Sequence, residues 1–138
     1  MTDSNAVYTA HVSVTGGRSG HATSDDGVLD IDLAVPGASG HAGATNPEQL
    51  FAAGYAACFQ NALMGISRRA GLDPSEGVID ASVSLLKGDS YRLAVDFKVK
   101  LPGATREVAT QLVEQAHEIC PYSNATRGNI DFTYEIVD

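Results

Sequence analysis

The residues of this chain that are best suited to redox chemistry are its two cysteines, Cys58 and Cys120. They lie far apart in the sequence, which excludes a CxxC redox motif and a compact zinc knuckle. A zinc site would have to recruit His117 and histidines from distant segments, and the four histidines lack metal-ligand spacing such as HxxxH. The chain has no GxSxG elbow of a serine hydrolase, and Gly16-Gly17 lacks the spacing of a phosphate loop. Thiol chemistry therefore remains, with two inert core cysteines as the alternative.

A reactive Cys58 requires a positively charged neighbour. The nucleophile is the thiolate, a free cysteine has a pKa of about 8.5, and burial raises that value. Two arginines are candidates: Arg18, which follows a Gly-Gly turn that allows close backbone approach, and Arg127, in the irregular stretch before the last strand. Either could instead be a solvated surface residue. Glu48 could orient an arginine through a bidentate pair, or could simply place a favourable charge in the first turn of a helix.

The element that must position Cys58 is a helix predicted within Thr45–Gly71. Asn46 can cap it, Pro47 suits its first position, and Gly71 supplies a left-handed stop. Between these signals, Leu50–Ile66 is apolar on every face apart from two amides. The run is marginal for a bilayer crossing, which needs about 20 residues. The pattern therefore predicts a long helix buried at the centre of a domain.

The other segments alternate between polar and apolar residues as antiparallel strands do, with one further helix. Strands are predicted at Val7–Val14, Gly20–Ser24, Val28–Val35, Val78–Lys87, Tyr91–Leu101 and Ile130–Ile136, and a helix from the capping residue Thr105 to about Ile119. The buried stripe of that helix is predicted to contain Val108, Leu112, Val113, Ala116 and Ile119. Pro36–Thr45 is predicted to be a mobile loop. The fold class is α+β: antiparallel sheets around a long buried central helix, in a single domain over residues 1–138.

Composition excludes several classes of partner. The 138 residues carry a net charge of −8 and no basic run longer than two residues, so nucleic acid and anionic membranes are not expected partners. The first ten residues have neither a charged n-region nor an apolar h-region, which predicts a cytoplasmic protein. In the cytoplasm a cysteine pair is expected to be reactive or unpaired rather than a permanent crosslink.

Three segments carry a resemblance to a known family. They are TGGRSGHA at 15–22, TNPEQLFAAGYAACF at 45–59 and AHEICPYSNATRGNI at 116–130. In this order and spacing they resemble the signature blocks of the organic hydroperoxide resistance proteins, the peroxide-reducing branch of the wider OsmC family. The likeness covers nearly the whole chain, and the CPYSNATRGN block is specific to this branch. Gln60-Asn61 departs from the pattern, since less polar residues are expected there, and could alter the polarity of the pocket.

The resemblance implies a thiol-dependent peroxidase with no metal and no cofactor. It implies that Cys58 is the peroxidatic cysteine, that Arg18 stabilises its thiolate, and that Glu48 holds this arginine. Cys120 would be the resolving cysteine, and its expected place at a helix C-terminus would not favour a thiolate before it is needed. The resulting disulfide would be reduced by a dithiol, with lipoyl groups on proteins as the implied donors.

The distance between Glu48 and Cys58 predicts that a second subunit contributes to the site. Glu48 and Cys58 are ten residues apart, which is about 15 Å along an unbroken helix. An arginine held on Glu48 could scarcely reach Cys58 of the same chain. We therefore expect the Arg18–Glu48 pair that serves each Cys58 to come from a second subunit, in agreement with the intertwined homodimer that the resemblance implies.

Four apolar residues on or near the Cys58 face of the helix are candidates for a substrate slot: Phe51, Tyr55, Phe59 and Met64. The alternative for each of them is ordinary core packing. A slot would favour organic hydroperoxides with apolar tails over hydrogen peroxide. Two other functions remain open: an OsmC-type peroxidase with a different peroxide preference, and a small-ligand-binding protein with inert cysteines.

Overall fold

A computed structural model describes residues 5–38 and 42–138 of the chain. It contains two compact units, Met1–Pro47 and Glu48–Asp138. Together they have the α+β composition that the sequence predicts, while the assignment of a single domain stays a prediction. None of the helices in the described part of the chain is long and apolar enough to cross a membrane.

The first unit contains a three-stranded antiparallel sheet. Its strands are β1 (Val12–Thr15), β2 (His21–Ser24) and β3 (Asp30–Asp32), in that spatial order. They are shorter than predicted. Val7 and Tyr8 lie before β1 and are 99% and 78% exposed, because β-forming side chains alone do not make a strand where no neighbouring strand pairs with them. The predicted mobile loop extends over residues 39–41, which lie outside the described residues.

The turn between β1 and β2 carries Arg18. Gly16 and Gly17 have φ angles of 75° and 57°, and Gly17–Ser19 forms a single 3-10 turn. Gly20 closes this turn against the backbone: a Cβ at that position would lie 1.6 Å from the carbonyl oxygen of Thr15. The structure therefore confirms that glycine is needed for the close backbone approach beside Arg18.

The long helix α1 spans Pro47–Arg69, with proline at its first position and Gly71 at a φ of 84° just beyond its end. Both of its predicted ends are confirmed. Its fully buried side chains follow a helical stripe of Tyr55, Phe59, Leu63, Ile66 and Ser67. The opposite face, with Ala53, Ala57 and Asn61, is exposed in the single chain. Burial of this helix within one chain is thus confined to one side.

The second unit also contains a three-stranded sheet, formed by β4 (Val78–Lys87), β5 (Tyr91–Lys100) and β6 (Asp131–Val137). The β4–β5 hairpin is antiparallel as predicted, but β6 pairs with β5 in parallel. This corrects the expectation of purely antiparallel sheets. The long connection through two helices returns the chain to the end of the sheet from which β5 starts, and parallel pairing requires such a crossover.

Helix α2 spans Arg106–Ile119, and Thr105 caps it by accepting the N–H of Val108 at 3.1 Å. Leu112, Val113 and Ala116 are buried as predicted, and Ala109 joins them, whereas Val108 is only half-buried and Ile119 does not belong to the stripe. Ile119 is 52% exposed, because the chain turns here and the buried position at this end is Cys120. Pro121 ends α2 as predicted but starts a further short helix, α3 (Pro121–Thr126), where an irregular segment was expected.

Candidate active site

The structure brings the two cysteines of the second unit together. Cys58 lies in the middle of α1 and is half-buried, whereas Cys120 lies between α2 and α3 and is fully buried. Both are free thiols. The Cys120 thiol lies close enough to Cys58 to raise the pKa of the Cys58 thiol, so the two thiols are neighbours despite their separation in the sequence.

The environment that the structure gives Cys58 favours its protonated form. Burial raises the pKa of the Cys58 thiol, a backbone N–H of Tyr122 lowers it, and the Cys120 thiol raises it further. The net direction is upward. A nucleophilic Cys58 therefore needs positive charge beyond these contacts, as the sequence argument requires.

Cys120 lies between two helices and caps both of them. Its N–H donates to the carbonyl of Ala116 at 2.9 Å as the C-cap of α2, and its sulfur accepts the N–H of Ser123 at 3.5 Å as the N-cap of α3. The expected place of Cys120 at a helix C-terminus is confirmed, and the structure adds that the same residue caps the N-terminus of a second helix. Pro121 stops one helix and suits the first position of the next, so the residue between them caps both.

Tyr122 forms one wall of the site. Its ring stacks on Tyr55 at a centroid distance of 5.7 Å and meets the edge of Phe51 at 6.1 Å. Its hydroxyl lies over Gly54, where an added Cβ would approach within 2.7 Å. Gly54 thus makes room for the ring one turn before Cys58, and the backbone of the same tyrosine lowers the pKa of the Cys58 thiol.

Ser123 forms a buried polar link between the helices. Its fully buried hydroxyl lies 2.8 Å from the Tyr55 hydroxyl and 2.9 Å from Nδ1 of His117. The His117 ring stacks on Phe132 at 4.7 Å with an angle of 6° between the planes. Burial, followed by the charge of Arg127, lowers the pKa of His117, which favours the neutral imidazole.

Of the two arginines considered as positively charged neighbours of Cys58, Arg127 makes its hydrogen bonds elsewhere. Its guanidinium donates to the carbonyl oxygen of His117 and, at 2.9 Å, to the side-chain oxygen of Asn124. It thereby ties the last turn of α2 to α3. Arg18 lies in the first unit and Glu48 in the first turn of α1, and their roles at the site stay predictions.

The four predicted substrate-slot residues occupy different environments. Tyr55 and Phe59 are fully buried and pack edge-to-face on Phe97, at 5.0 and 5.2 Å, so neither offers surface to a substrate in this structure. Met64 lines a separate small cavity with Gln60 and Gly77. Phe51 packs against Tyr122 like Tyr55, but it is only half-buried.

Gln60 and Asn61, the two amides that depart from the family pattern, lie in different environments. Gln60 donates from its side-chain nitrogen to the carbonyl of Gly77 at 3.1 Å, which fixes α1 to the segment before β4. Asn61 is exposed. The extra polarity at Gln60 therefore serves a structural hydrogen bond.

Tyr122 and Ser123 were not predicted from the sequence to contribute to the site. A signal was present: Cys120 precedes a proline, and a residue that can accept a hydrogen bond before proline is typical of a helix start. Within residues 5–38 and 42–138, no three side chains of His, Cys, Asp or Glu converge as a metal site would require.

Comparison with known proteins gives consistent similarities. Residues 40–135 match the family described as OsmC-like protein. The organic hydroperoxide resistance protein OhrB of Bacillus subtilis is 48% identical over 95% of this chain and 98% of its own length. An organic hydroperoxide resistance protein of Xanthomonas axonopodis pv. citri is also 48% identical, over 92% of each chain. The crystal structure of B. subtilis OhrB superposes with a TM-score of 0.89 at 47% identity and covers 96% of this chain and 100% of its own.

Proposed function

This chain belongs to the OsmC-like family and, within it, to the organic hydroperoxide resistance proteins, and from this membership we propose that it is a cysteine-based peroxidase that reduces organic hydroperoxides to alcohols. The observation that carries the proposal is that Cys58 and Cys120 are neighbours in a chain of this family. Two inert core cysteines would have no need to meet across segments that are so distant in the sequence.

In the first step the Cys58 thiolate attacks the terminal oxygen of ROOH. The sulfur–oxygen bond forms, the peroxide bond breaks, and RO⁻ takes up a proton to leave as the alcohol. Cys58 becomes a sulfenic acid. The Cys120 sulfur then attacks the Cys58 sulfur. The sulfur–oxygen bond breaks, and hydroxide leaves with a proton as water.

The thiolate is stabilised by Arg18, which Glu48 orients. Support comes from the contacts within the second unit, whose net effect is to raise the pKa of Cys58 and which therefore leave a need for positive charge. The span of about 15 Å between Glu48 and Cys58 along α1 favours donation of the arginine by a second subunit. The enzyme is accordingly a homodimer with shared sites, and the exposed small residues on one face of α1 are compatible with such an interface.

The substrate is an organic hydroperoxide with an apolar group. Phe51 and the ring of Tyr122 pack on each other on the helices that carry the two cysteines and can bury such a group, at a gain of about 0.8 kcal/mol per CH₂. Hydrogen peroxide has no group to bury. The same active thiolate therefore discriminates between peroxides through binding of the tail.

A dithiol recycles the enzyme, and the family resemblance favours dihydrolipoyl groups carried on proteins. The exposure of the two cysteines supports a direction for this step. Cys120 is fully buried and Cys58 is half-buried, so the attacking thiolate of the reductant meets the Cys58 sulfur and releases Cys120. The second thiol of the reductant then resolves the mixed disulfide.

Steady-state kinetics tests the proposal. With a dithiol reductant, we expect consumption of cumene hydroperoxide with a kcat/KM at least about tenfold higher than for hydrogen peroxide, since two buried CH₂ groups contribute about that factor. Cys58→Ser provides the control and should have no turnover. Wild-type protein that consumes neither peroxide would overturn the peroxidase assignment, and equal efficiencies would overturn the substrate class.

A further inference from the structure

Ser123 is a buried polar side chain that the proposed chemistry does not use. Its hydroxyl is the meeting point of three helices, because Tyr55 belongs to α1, His117 to α2 and Ser123 itself to α3. The same three helices carry the two thiols: α1 holds Cys58, and the junction of α2 and α3 holds Cys120.

The hydrogen bonds of this group can all be satisfied at once. The Tyr55 phenol donates to the Ser123 oxygen, and the Ser123 hydroxyl donates to Nδ1 of a neutral His117. The neutral imidazole is the form that the surroundings of His117 favour. His117 is itself fixed by the stacked ring of Phe132 and by the guanidinium of Arg127 on its carbonyl.

The backbone at Ser123 connects this network to the sulfurs. The N–H of Ser123 donates to the Cys120 sulfur at 3.5 Å, and the backbone of the preceding residue, Tyr122, is near enough to Cys58 to lower the pKa of its thiol. Two consecutive residues of one helical turn therefore have their backbone beside the two atoms that must form a bond. The side chain of Ser123 holds that turn to α1 and α2.

From this arrangement we infer that Ser123, held by Tyr55 and His117, is a positioning residue for closure of the Cys58–Cys120 disulfide. The inference deepens the proposed function, on which it rests for the reaction that the closure serves. Without the Ser123 hydroxyl, the first turn of α3 loses its buried hydrogen bonds to α1 and α2, and Cys120 no longer sits in line with the Cys58 sulfenic acid. A displacement of about 1 Å can slow such a step up to about a hundredfold.

The chain offers a matched control. Ser67 is also fully buried, and its hydroxyl has no hydrogen-bond partner in the part of the chain that the structure describes. It lies nine residues after Cys58 on α1, about 14 Å along the axis. Ser67→Ala and Ser123→Ala therefore make the same chemical change at equal burial, with and without the network.

The first experiment follows the closure step directly. Reduced protein is mixed with one equivalent of cumene hydroperoxide, and the Cys58 sulfenic acid is trapped with dimedone at successive times and measured by mass spectrometry. We expect Ser123→Ala to close the disulfide at least about tenfold more slowly and to accumulate trapped sulfenic acid, while Ser67→Ala closes at the wild-type rate. A folded Ser123→Ala protein that closes at the wild-type rate would overturn the inference.

A second pair of variants decides the matter if Ser123→Ala does not fold. His117→Phe keeps a ring on Phe132 but has no nitrogen for Ser123, whereas His117→Asn restores a polar atom at the position of Nδ1 and loses the stacked ring. Faster closure in His117→Asn than in His117→Phe supports positioning through the hydrogen bond. The reverse order, or equal rates, contradicts it.

An equilibrium measurement separates this inference from the peroxidase proposal. The reduced protein is incubated with mixtures of oxidised and reduced dithiothreitol, so that two protein thiols are oxidised as one dithiothreitol disulfide is reduced. We expect Ser123→Ala to lower the equilibrium constant at least about tenfold relative to wild type and Ser67→Ala. If the wild-type protein does not react with hydroperoxides but Ser123→Ala lowers this equilibrium constant, the peroxidase proposal is refuted and the positioning role of Ser123 is supported. An unchanged constant would overturn positioning.

Discussion

Gly54 is the position where a single added methyl group tests the geometry of the site most sharply. A Cβ there would lie 2.7 Å from the hydroxyl oxygen and 3.2 Å from Cζ of Tyr122. Ordinary contact begins at 3.4 Å, so the end of the ring must move by about 0.7 Å in Gly54→Ala. Because the ring is rigid and the backbone of Tyr122 and Ser123 lies beside the two cysteines, we expect the displacement to reach the cysteine pair.

The stability change in Gly54→Ala should be small, because two effects oppose each other. Alanine stabilises a helix interior by about 0.5–1 kcal/mol relative to glycine. Loss of the stacking between Tyr122 and Tyr55 costs about 0.5–1.5 kcal/mol. The free energy of unfolding should therefore stay within about 1 kcal/mol of wild type, while disulfide closure slows by about tenfold.

Gly65→Ala is the matched control for this experiment. Gly65 lies on the same helix, and its added Cβ would meet only an Arg69 nitrogen at 3.9 Å, an ordinary contact. It should stabilise the protein by about 0.5–1 kcal/mol and leave closure unchanged. Urea unfolding and the dimedone-trapping assay give the two quantities. A Gly54→Ala protein that forms the disulfide at the wild-type rate would show that the Tyr122 ring moves without its backbone. The expected coupling between this ring and the cysteine pair would then be wrong.

Three further predictions follow from the site and from the first sheet. Cys120→Ser should consume one equivalent of organic hydroperoxide and then stall as a sulfenic acid, and multiple turnovers without an added thiol would contradict its resolving role. Mixed dimers of Arg18→Met and Cys58→Ser subunits, each inactive alone, should regain about a quarter of wild-type activity under random pairing, whereas a site built within one chain would regain none. In the first sheet, hydrogen bonds to two carboxylates raise the pKa of His21, so the stability it contributes is fully present below its unfolded pKa of about 6.5 and is lost as the pH rises through the higher folded value. His21→Asn should therefore lower the melting temperature at pH 5.5 more than at pH 9, and an equal loss at both would contradict the sign.

The helix that carries Cys58 could be predicted from sequence with its ends, because its signals are local. Proline at the first position, a preceding asparagine and a glycine with positive φ act within a turn of each boundary. The β4–β5 hairpin could be predicted for the same reason, since its two runs of alternating residues flank a short turn. The shorter strands of the first sheet could not, because pairing partners rather than side-chain types decide where a strand ends.

The fine structure of the site depended on tertiary contacts that a single sequence does not contain. The parallel pairing of β6 depends on the path of the chain through α2 and α3. The network of Ser123 depends on contact with Tyr55, which is distant in the sequence. Resemblance to a known family predicts that Cys58, Cys120 and Arg18 act at the site, which stays a prediction, and it carries no information on how α3 positions Cys120 near Cys58.

The central claim is that Cys58 and Cys120 form one redox pair in which Cys58 meets the peroxide first. The most direct test is peptide mapping by mass spectrometry after reduced protein has reacted with one equivalent of cumene hydroperoxide under denaturing, alkylating quench. We expect a single disulfide linking Cys58 to Cys120 of the same chain, with the loss of two free thiols per chain. Two free thiols that survive the treatment, or a disulfide formed only between chains, would contradict it.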